Sequence, residues 1–270
     1  MKVFDFNIHL PYLLSKDVNE VIAHDITLDS IGIQKGFNTH KHVLDDCIGA
    51  NFLLFNTKLF ELDISPLLQI KEYGGKIFKF TALIDFRKKD IKNYIDNLVK
   101  CGVNAVMVNS YLQKINDTDF SNVLIAFRYA QRKGLIICID GSYGTSKMFT
   151  YDNLKLACFI SDHIHLSPIV IVHAGGYRLI ETMLLASDKN NVWIDTSFSL
   201  PYYENSSIET DFAYVLRKMN CERIVFGSDH PYLSFKDALD THLNFFKKHD
   251  FKKEDLEKIL YRNSLELFNV

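Results

Sequence analysis

Eight short runs of apolar residues recur along the whole chain, and their spacing is the strongest constraint on its fold. The runs are rich in Val, Ile and Phe and begin near residues 3, 51, 77, 105, 135, 169, 191 and 223. Segments with the apolar periodicity of helices separate most of them, among them residues 91–102, 121–134 and 177–187. Strands that alternate with helices indicate parallel βαβ units. Eight such units close into a (β/α)8 TIM barrel, which is the α/β fold that we predict.

The length of the chain fits this fold as one domain. A barrel of this kind uses about 250 residues, and the chain has 270, of which 47% are hydrophobic. A doubly wound open sheet is the main rival, but it normally binds a nucleotide through a glycine-rich loop after the first strand. Here that loop reads HLPYLLS and contains no glycine. We therefore predict a single barrel domain that spans residues 1–270.

The ends of the predicted helices carry recognisable signals. Gly102 and Gly134 each follow a helical pattern and precede a strand, as expected for glycine C-caps. Ser121 is a candidate N-cap for the helix that ends before Gly134. Near the end of the chain, residues 234–249 and 253–268 form two amphipathic patterns. These two segments are expected to complete the outer ring of helices and to cover one end of the barrel.

The charge balance argues against a binder of nucleic acids or anionic membranes. The chain has 31 basic and 33 acidic residues, for a formal net charge of −2. Neither the excess of Lys and Arg nor a basic stripe that such a binder requires is present. We expect a small-molecule substrate, no nucleic-acid partner, no membrane and, from base rates alone, a homodimer.

The cysteines and the first residues predict a cytoplasmic protein. The five cysteines are odd in number and never form a CxxC pair, which argues against a disulfide framework or a thiolate zinc site. Asp5, Asn7 and His9 interrupt the apolar stretch that a signal peptide would need. No run approaches the roughly 18 apolar residues of a membrane span.

Polar residues end most of the predicted strands, and the carboxyl ends of barrel strands are where active sites lie. Period-two alternation puts Asp5, Asn7 and His9 on one face of the first strand. Any one of these residues can be explained as a cap of its strand, but five strands with ligand-type ends favour a site that binds a divalent metal. The other strand-end residues are Asn109, Asp140, His173, Asp195, Ser197 and Asp229.

Several motifs together resemble one known family. They are FDFNIHL at the start, A-x-x-K-G-L followed by IICID, VIVHAGGY, and DTS followed about thirty residues later by RIVFGSDHPY. The chain resembles, over essentially its whole length, the amidohydrolase-related branch of the metal-dependent hydrolases. That branch includes aminocarboxymuconate-semialdehyde decarboxylase and several lactonases. The GSDHP segment is the most specific of these motifs.

The resemblance implies a metal site with two departures from the family pattern. His9 matches the second histidine of the His-x-His pair on the first strand, and Asp229 matches the aspartate of the eighth strand. Asn7 stands where the family has the first histidine of the pair, and Asp140 where it has a histidine on the fifth strand. The implied metal ligands are His9, Asp140, Asp229 and Asn7.

This oxygen-rich ligand set changes the expected metal. An imidazole nitrogen is a good zinc ligand and a carboxamide oxygen is a poor one. We expect one divalent ion, either Mn²⁺ or Mg²⁺ or a loosely held Zn²⁺, or a site that has lost its metal. The resemblance also implies catalytic roles for two residues: Asp229 would act as the general base, and His173 would stabilise developing charge. No lysine ends the fourth strand, which argues against a two-metal site.

The remaining histidines have weaker claims. His163 and His165 form a second His-x-His, but they precede the sixth strand and should lie at the amino-terminal face, in a structural or exposed role. The pattern of residues 15–41 predicts a helix and a loop, which is a candidate lid. His40 and His42 would reach the site if this loop is a lid, but a solvated loop is expected for them. His230 could line the pocket. Surface positions are expected for His24, His242 and His249.

Other polar and aromatic residues follow the strand ends. Asp195 and Ser197 are expected to form hydrogen bonds that stabilise a loop, because no G-x-S-x-G turn supports a nucleophilic serine. Five tyrosines are either ordinary loop residues or the lining of a pocket for a small organic or sugar-like substrate: Tyr143, Tyr177, Tyr202, Tyr203 and Tyr232.

Two functions follow from these observations. The leading hypothesis is a metal-dependent hydrolase that acts on a C–N, C–O or lactone bond of a small polar metabolite, with a decarboxylase as a variant. It depends on His9, His173 and Asp229. The alternative is a catalytically decayed barrel that binds a metabolite or a protein, and it depends on Asn7 and Asp140 standing in place of histidines.

Overall fold

The computed structural model describes residues 1–10, 33–34, 36–38, 40, 44–56, 59–61 and 63–270. The predicted helix and loop between residues 15 and 41 fall mainly outside the described residues. His24 and His42 lie outside them as well.

Eight parallel strands form one sheet, and each coincides with a predicted apolar run. The strands pair with one another in sequence order. The eight predicted strands and the TIM-barrel fold are therefore confirmed. The strands are β1 (Phe4–His9), β2 (Gly49–Leu54), β3 (Ile77–Leu83), β4 (Ala105–Val108), β5 (Ile136–Asp140), β6 (Ile169–Val172), β7 (Val192–Asp195) and β8 (Ile224–Val225).

Backbone hydrogen bonds between the two edge strands turn this sheet into a barrel. Phe6 N donates to Phe226 O, and Asp229 N donates to Asn7 O, both at 2.9 Å. This closure brings the first ten residues of the chain beside the residues that follow β8.

Helices surround the strands in the alternating order that the sequence predicts. Among the described residues, the α-helices are α1 (Leu67–Lys71), α2 (Ile91–Lys100), α3 (Ser110–Gln113), α4 (Phe120–Arg132), α5 (Ser146–Thr150), α6 (Asn153–Ser161), α7 (Leu179–Asp188), α8 (Ser199–Tyr202), α9 (Ser207–Lys218), α10 (Phe235–Lys248), α11 (Lys253–Glu257) and α12 (Asn263–Leu267). A π-helical turn, Lys258–Arg262, joins α11 to α12. None of the described helices is long and apolar enough to cross a membrane.

The helix ends confirm one predicted signal and correct another. Gly102 and Gly134 follow α2 and α4 with φ values of 86° and 72°, the left-handed conformation of a glycine C-cap. Ser121 is not an N-cap, because α4 already begins at Phe120. A short 3₁₀ turn, Asp117–Asp119, leads directly into the helix and replaces a separate cap.

Alternation along the strands divides the core into two layers. In β5, Ile137 and Ile139 face outwards and pack in the layer between sheet and helices. Cys138, between them, faces the inside of the barrel together with Met107 and Val170. Each strand thus has one face packed against the helices and the other inside the barrel, as a closed parallel barrel requires.

The end of the chain covers the end of the barrel where the strands begin. Leu267 and Phe268 are buried in the same cluster as Phe4 and Phe6. The ring centroid of Phe268 lies 5.7 Å from that of Phe4 and 6.0 Å from that of Phe6. The prediction that a carboxyl-terminal segment covers one end of the barrel is therefore correct, and the opposite rim carries the polar residues.

Candidate active site

Two residues that are 220 positions apart in sequence meet where the strands end. His9 is the last residue of β1, and Asp229 follows β8. The Nε2 atom of His9 lies 3.1 Å from Oδ1 of Asp229. Both residues are buried, with 8% and 5% of their surface exposed. The structure thus places an imidazole and a carboxylate in direct contact at the rim where barrel enzymes have their active sites.

His173 approaches the same carboxylate from β6. Its Nε2 lies 4.0 Å from Oδ1 of Asp229. Its other ring nitrogen, Nδ1, lies 3.1 Å from the backbone oxygen of Ser197. A carbonyl oxygen only accepts, so Nδ1 carries the hydrogen, and in the neutral ring Nε2 carries the lone pair. Nε2 therefore faces Asp229, with a lone pair in the neutral ring and with an N–H group in the protonated ring.

The charges around His173 favour its protonated form. Burial on its own lowers the pKa of this imidazole, because it removes the charged ring from water. The negative charges of Asp229, Asp140 and Asp195 act in the opposite direction. Their sum outweighs burial, and the pKa of His173 is raised above its ordinary value.

The backbone is left-handed at several of these residues. Residues 173–176 all have positive φ, and so do Phe198 and Asp229. Glycine is required at Gly175, because a Cβ atom there would lie 2.1 Å from Oγ1 of Thr182. Non-glycine residues in this conformation store strain of about 1–3 kcal/mol each and cluster at functional sites.

Asn7 faces the site through an irregularity in β1. The register of β1 against β2 shifts between Asp5 and Ile8. Nδ2 of Asn7 donates to Oγ of Ser197 at 2.7 Å. In the described part of the chain, Oδ1 of Asn7 is buried and has no hydrogen-bond partner. A buried acceptor without a partner costs about 1–3 kcal/mol.

Asp5 does not share the role of Asn7 and His9. Its Oδ1 accepts the backbone N–H groups of Asn7 at 3.0 Å and Ser228 at 2.9 Å. Burial raises the pKa of this carboxyl to about 7, although these hydrogen bonds oppose the shift. The expectation of one shared face for Asp5, Asn7 and His9 fails because the register shift in β1 interrupts the alternation.

Asp195 and Ser197 form a hydrogen-bonded unit at the end of β7. Oδ1 of Asp195 accepts the backbone N–H of Ser197 at 3.0 Å, and Oδ2 accepts that of His173 at 3.3 Å. Oδ2 also accepts the hydroxyl of Ser197. Burial raises the pKa of Asp195, and the charge of His173 opposes that shift. The unit stabilises a loop, as expected, and also contacts two residues of the site.

One carboxylate oxygen of Asp140 is bound within its own loop. Its Oδ1 accepts both the backbone N–H and the hydroxyl of Ser142, a local pattern common after strand ends. The structure does not bring Asp140 into one group with His9 and Asp229. Across the described residues, no three side chains of His, Cys, Asp or Glu come together in a way that could hold a metal ion.

Two other histidines are buried, contrary to expectation. His40 is buried, and its Nε2 donates to the backbone oxygen of His9 at 2.9 Å. His242 lies inside the outer layer, where Nδ1 donates to Ala238 O at 2.7 Å and Nε2 lies 2.8 Å from Oγ1 of Thr196. Burial lowers the pKa of His242 to about 4. Amphipathic spacing alone does not show how deeply such polar residues pack.

The other histidines outside the site have structural contacts or are exposed. His165 is exposed, and Nδ1 of the half-buried His163 bonds the backbone oxygen of Phe159. His249 is half-buried, not a free surface residue, because it pairs with Glu209 at 2.8 Å.

Aromatic rings flank both site histidines. The ring centroid of Tyr232 lies 4.9 Å from that of His9, and Phe55 lies 5.5 Å from the same ring. Phe198 lies 6.2 Å from His173, and it stacks on Tyr202 at 5.3 Å. The tyrosines were candidates from the sequence. Phe55 and Phe198 were not, and the only sequence signal for them was their position shortly after the ends of β2 and β7.

The fold and this site define a class of protein: a (β/α)8 barrel whose histidine and carboxylate side chains converge where the strands end. Residues 57–270 match the amidohydrolase family. The chain belongs to this family, which is a family of enzymes, and the resemblance inferred from the motifs is confirmed.

Solved structures with the same fold cover this chain almost completely. A TIM-barrel protein of Bordetella bronchiseptica is 14% identical over 100% of this chain and 99% of its own, with a TM-score of 0.77. An amidohydrolase from Burkholderia multivorans with bound zinc is 11% identical, covers 100% of both chains and has a TM-score of 0.67. The 2,6-dihydroxybenzoate decarboxylase from Rhizobium is 12% identical over 99% of this chain and 98% of its own, with a TM-score of 0.68.

At these identities the likeness shows the fold alone. Among curated proteins, none matches the chain in sequence.

Proposed function

We propose that this protein is a metal-dependent hydrolase that acts on a C–N, C–O or lactone bond of a small polar metabolite. A non-oxidative decarboxylase is a variant of the same proposal. One observation carries it: Oδ1 of Asp229 lies between two imidazole nitrogens, Nε2 of His9 at 3.1 Å and Nε2 of His173 at 4.0 Å. The solved structures support it, because one of them holds zinc and another is named as a decarboxylase.

The residues present fit a divalent ion with an oxygen-rich ligand set. His9 Nε2 and Asp229 Oδ1 lie side by side at 3.1 Å, so an imidazole nitrogen and a carboxylate oxygen would be the first two donors. The Oδ1 of Asn7 is buried and has no hydrogen-bond partner among the described residues, and it would be the third donor. One nitrogen and two oxygens suit Mn²⁺ or Mg²⁺ better than zinc, and Asp140 does not join them.

Each residue has a distinct part in hydrolysis. A bound divalent ion would lower the pKa of a water molecule and polarise the bond to be broken. The carboxylate of Asp229 accepts the proton of the attacking water. Protonated His173 donates a hydrogen bond from Nε2 to the oxygen that becomes negative as water adds. The proton taken by Asp229 then passes to the leaving nitrogen or oxygen.

Metal analysis and one substitution test this proposal. Protein purified without chelator should contain about one divalent ion per chain. Asp229→Asn keeps the size of the side chain and removes its negative charge, so it should weaken metal retention and lower kcat/KM for hydrolysis by about 10²–10⁴-fold. A metal-free protein whose hydrolysis survives Asp229→Asn would end the proposal.

One observation favours the alternative, a barrel that binds without catalysis: in the described chain no three His, Cys, Asp or Glu side chains could hold an ion together. Restoring histidine at both departures separates the two functions. A decayed enzyme should gain metal binding from Asn7→His with Asp140→His. An active enzyme adapted to a hard ion should instead lose hydrolysis.

A further inference from the structure

The hydroxyl of Ser197 lies at the junction of three buried side chains. Oδ2 of Asp195 is its shortest contact. Nδ2 of Asn7 lies 2.7 Å from Oγ of Ser197, and Nδ1 of His173 lies 3.1 Å from it. All four residues are buried.

The hydrogen count at this junction allows one arrangement. A serine hydroxyl has one hydrogen and two lone pairs. The carboxylate of Asp195 can only accept, so Ser197 donates its hydrogen to Asp195 and must accept from its other two neighbours. Asn7 therefore points its N–H toward Ser197, and His173 points its Nδ1–H there. The backbone oxygen of Ser197, 3.1 Å from Nδ1, imposes the same tautomer on His173.

The junction determines which atoms of Asn7 and His173 remain available. With Nδ2 bound to Ser197, the free atom of Asn7 is Oδ1, which is buried and has no partner among the described residues. With Nδ1 bound, the free atom of His173 is Nε2, which faces Asp229. A reversed amide at Asn7 would present N–H groups, which cannot bind a cation.

We propose that Ser197, held by Asp195, is a positioning residue that orients the amide of Asn7 so that its oxygen serves as a metal ligand. This inference rests on the proposed metal-dependent function. It gives the departure at Asn7 a physical meaning: an amide replaces an imidazole, and a buried serine fixes which end of the amide is presented. Partners that orient ligands in this way typically contribute 10- to 100-fold to metal affinity.

The surrounding backbone holds the junction rigidly. Asp195 is fixed by the backbone N–H groups of Ser197 and His173. Gly227 packs directly against the junction, because a Cβ atom at this position would lie 2.7 Å from Oδ1 of Asp195 and 2.8 Å from the Cβ atoms of both Asn7 and Ser197. The junction is therefore closely packed on the side of Gly227.

The first test is a double-mutant cycle on metal affinity, measured by calorimetric titration of metal-free protein with Mn²⁺ and with Zn²⁺. Ser197→Ala should weaken Mn²⁺ binding by about 10-fold or more. Asn7→Leu should weaken Mn²⁺ binding at least as much as Ser197→Ala does. The double variant should bind Mn²⁺ no more weakly than Asn7→Leu alone, because the serine acts through the amide. Ser161→Ala, which removes an equally buried hydroxyl bonded to Cys158 O in α6, should change affinity less than 2-fold.

The second test needs no metal. The side-chain amide signals of Asn7, assigned by their loss in Asn7→Leu, should shift in the ¹H–¹⁵N spectrum of Ser197→Ala and stay in place in Ser161→Ala. Wild-type protein that binds neither ion would overturn the proposed function, and the spectra would still decide the role of Ser197. Unshifted Asn7 signals, or additive losses of affinity in the cycle, would overturn the positioning role.

Discussion

The two ends of the barrel bury different kinds of residue. Where the strands begin, Phe4, Phe6, Leu267 and Phe268 pack as a purely apolar cluster. Where they end, polar and charged residues are buried, and two of them, His173 and Asp229, have left-handed backbone. One end therefore gains free energy of folding from burial. The other end carries strain and an unpartnered acceptor, which cost free energy.

The difference shows how the barrel separates stability from chemistry. Strain and unpaired polar atoms persist only where the surrounding structure is stable enough to hold them. Here the apolar end and the outer layer of helices supply that stability. If this division is correct, substitutions at the two ends should change different quantities: activity at the polar end and stability at the apolar end.

Asp229→Asn should separate activity from stability at the polar end. We expect a loss of about 10²–10⁴-fold in kcat/KM, the usual contribution of a general base. The free energy of unfolding should not fall by more than about 0.5 kcal/mol, because asparagine tolerates the left-handed backbone of residue 229. Steady-state kinetics and chemical denaturation measure the two quantities. A variant that loses both activity and stability would contradict the separation of chemistry and stability between the two ends.

Phe268→Ala should have the opposite pattern at the apolar end. Removing a buried phenylalanine typically lowers the free energy of unfolding by about 3–5 kcal/mol. Phe268 contacts Phe4 and Phe6 and no residue of the site, so kcat/KM of the folded protein should stay within 2-fold. Leu166→Ala, which removes an 87% exposed side chain, is the matched control and should change stability by less than about 0.5 kcal/mol.

The contrast between the two ends also explains what the sequence could predict. The strands and the rim that carries the site follow from apolar periodicity and from the polar residues that end each run. His9, His173 and Asp229 were among the strand-end residues found in this way, and the family resemblance singled them out. The sequence did not predict the contacts of Ser197 with Asn7 and His173. These residues lie more than 20 positions from Ser197, and a local sequence pattern cannot show such contacts.

At two other positions, side-chain hydrogen bonds differ from what the sequence pattern predicts. Asp140 ends a strand as predicted, but its carboxylate bonds Ser142, a contact that spacing does not reveal. His242 lies on the amphipathic helix α10 and was expected at the surface. It is buried because both ring nitrogens find partners, in Ala238 and Thr196.

His242 provides a test in a third region, the outer layer behind the rim. Its pKa is about 4 in the folded protein and about 6.5 in an unfolded chain. The unfolded state binds more protons between these values, so stability is complete above pH 6.5 and falls as pH decreases to about 4. The loss attributable to this group is roughly 3 kcal/mol. Denaturation across this range should show a shallower pH dependence in His242→Gln, and an unchanged slope would contradict the assignment.

The smallest expected effect concerns the tight packing at Gly227, which no apolar cluster surrounds. A methyl group there would overlap Asp195, Asn7 and Ser197, and overpacking of this kind costs about 1–3 kcal/mol. Gly144→Ala is the matched control, because a Cβ atom at Gly144 meets nothing within 4 Å. Gly144→Ala should leave the free energy of unfolding unchanged or raise it by less than about 1 kcal/mol, because alanine lowers the entropy of the unfolded chain. If Gly227→Ala were equally harmless, the polar end would have room to adjust, and its strain would not depend on rigid packing.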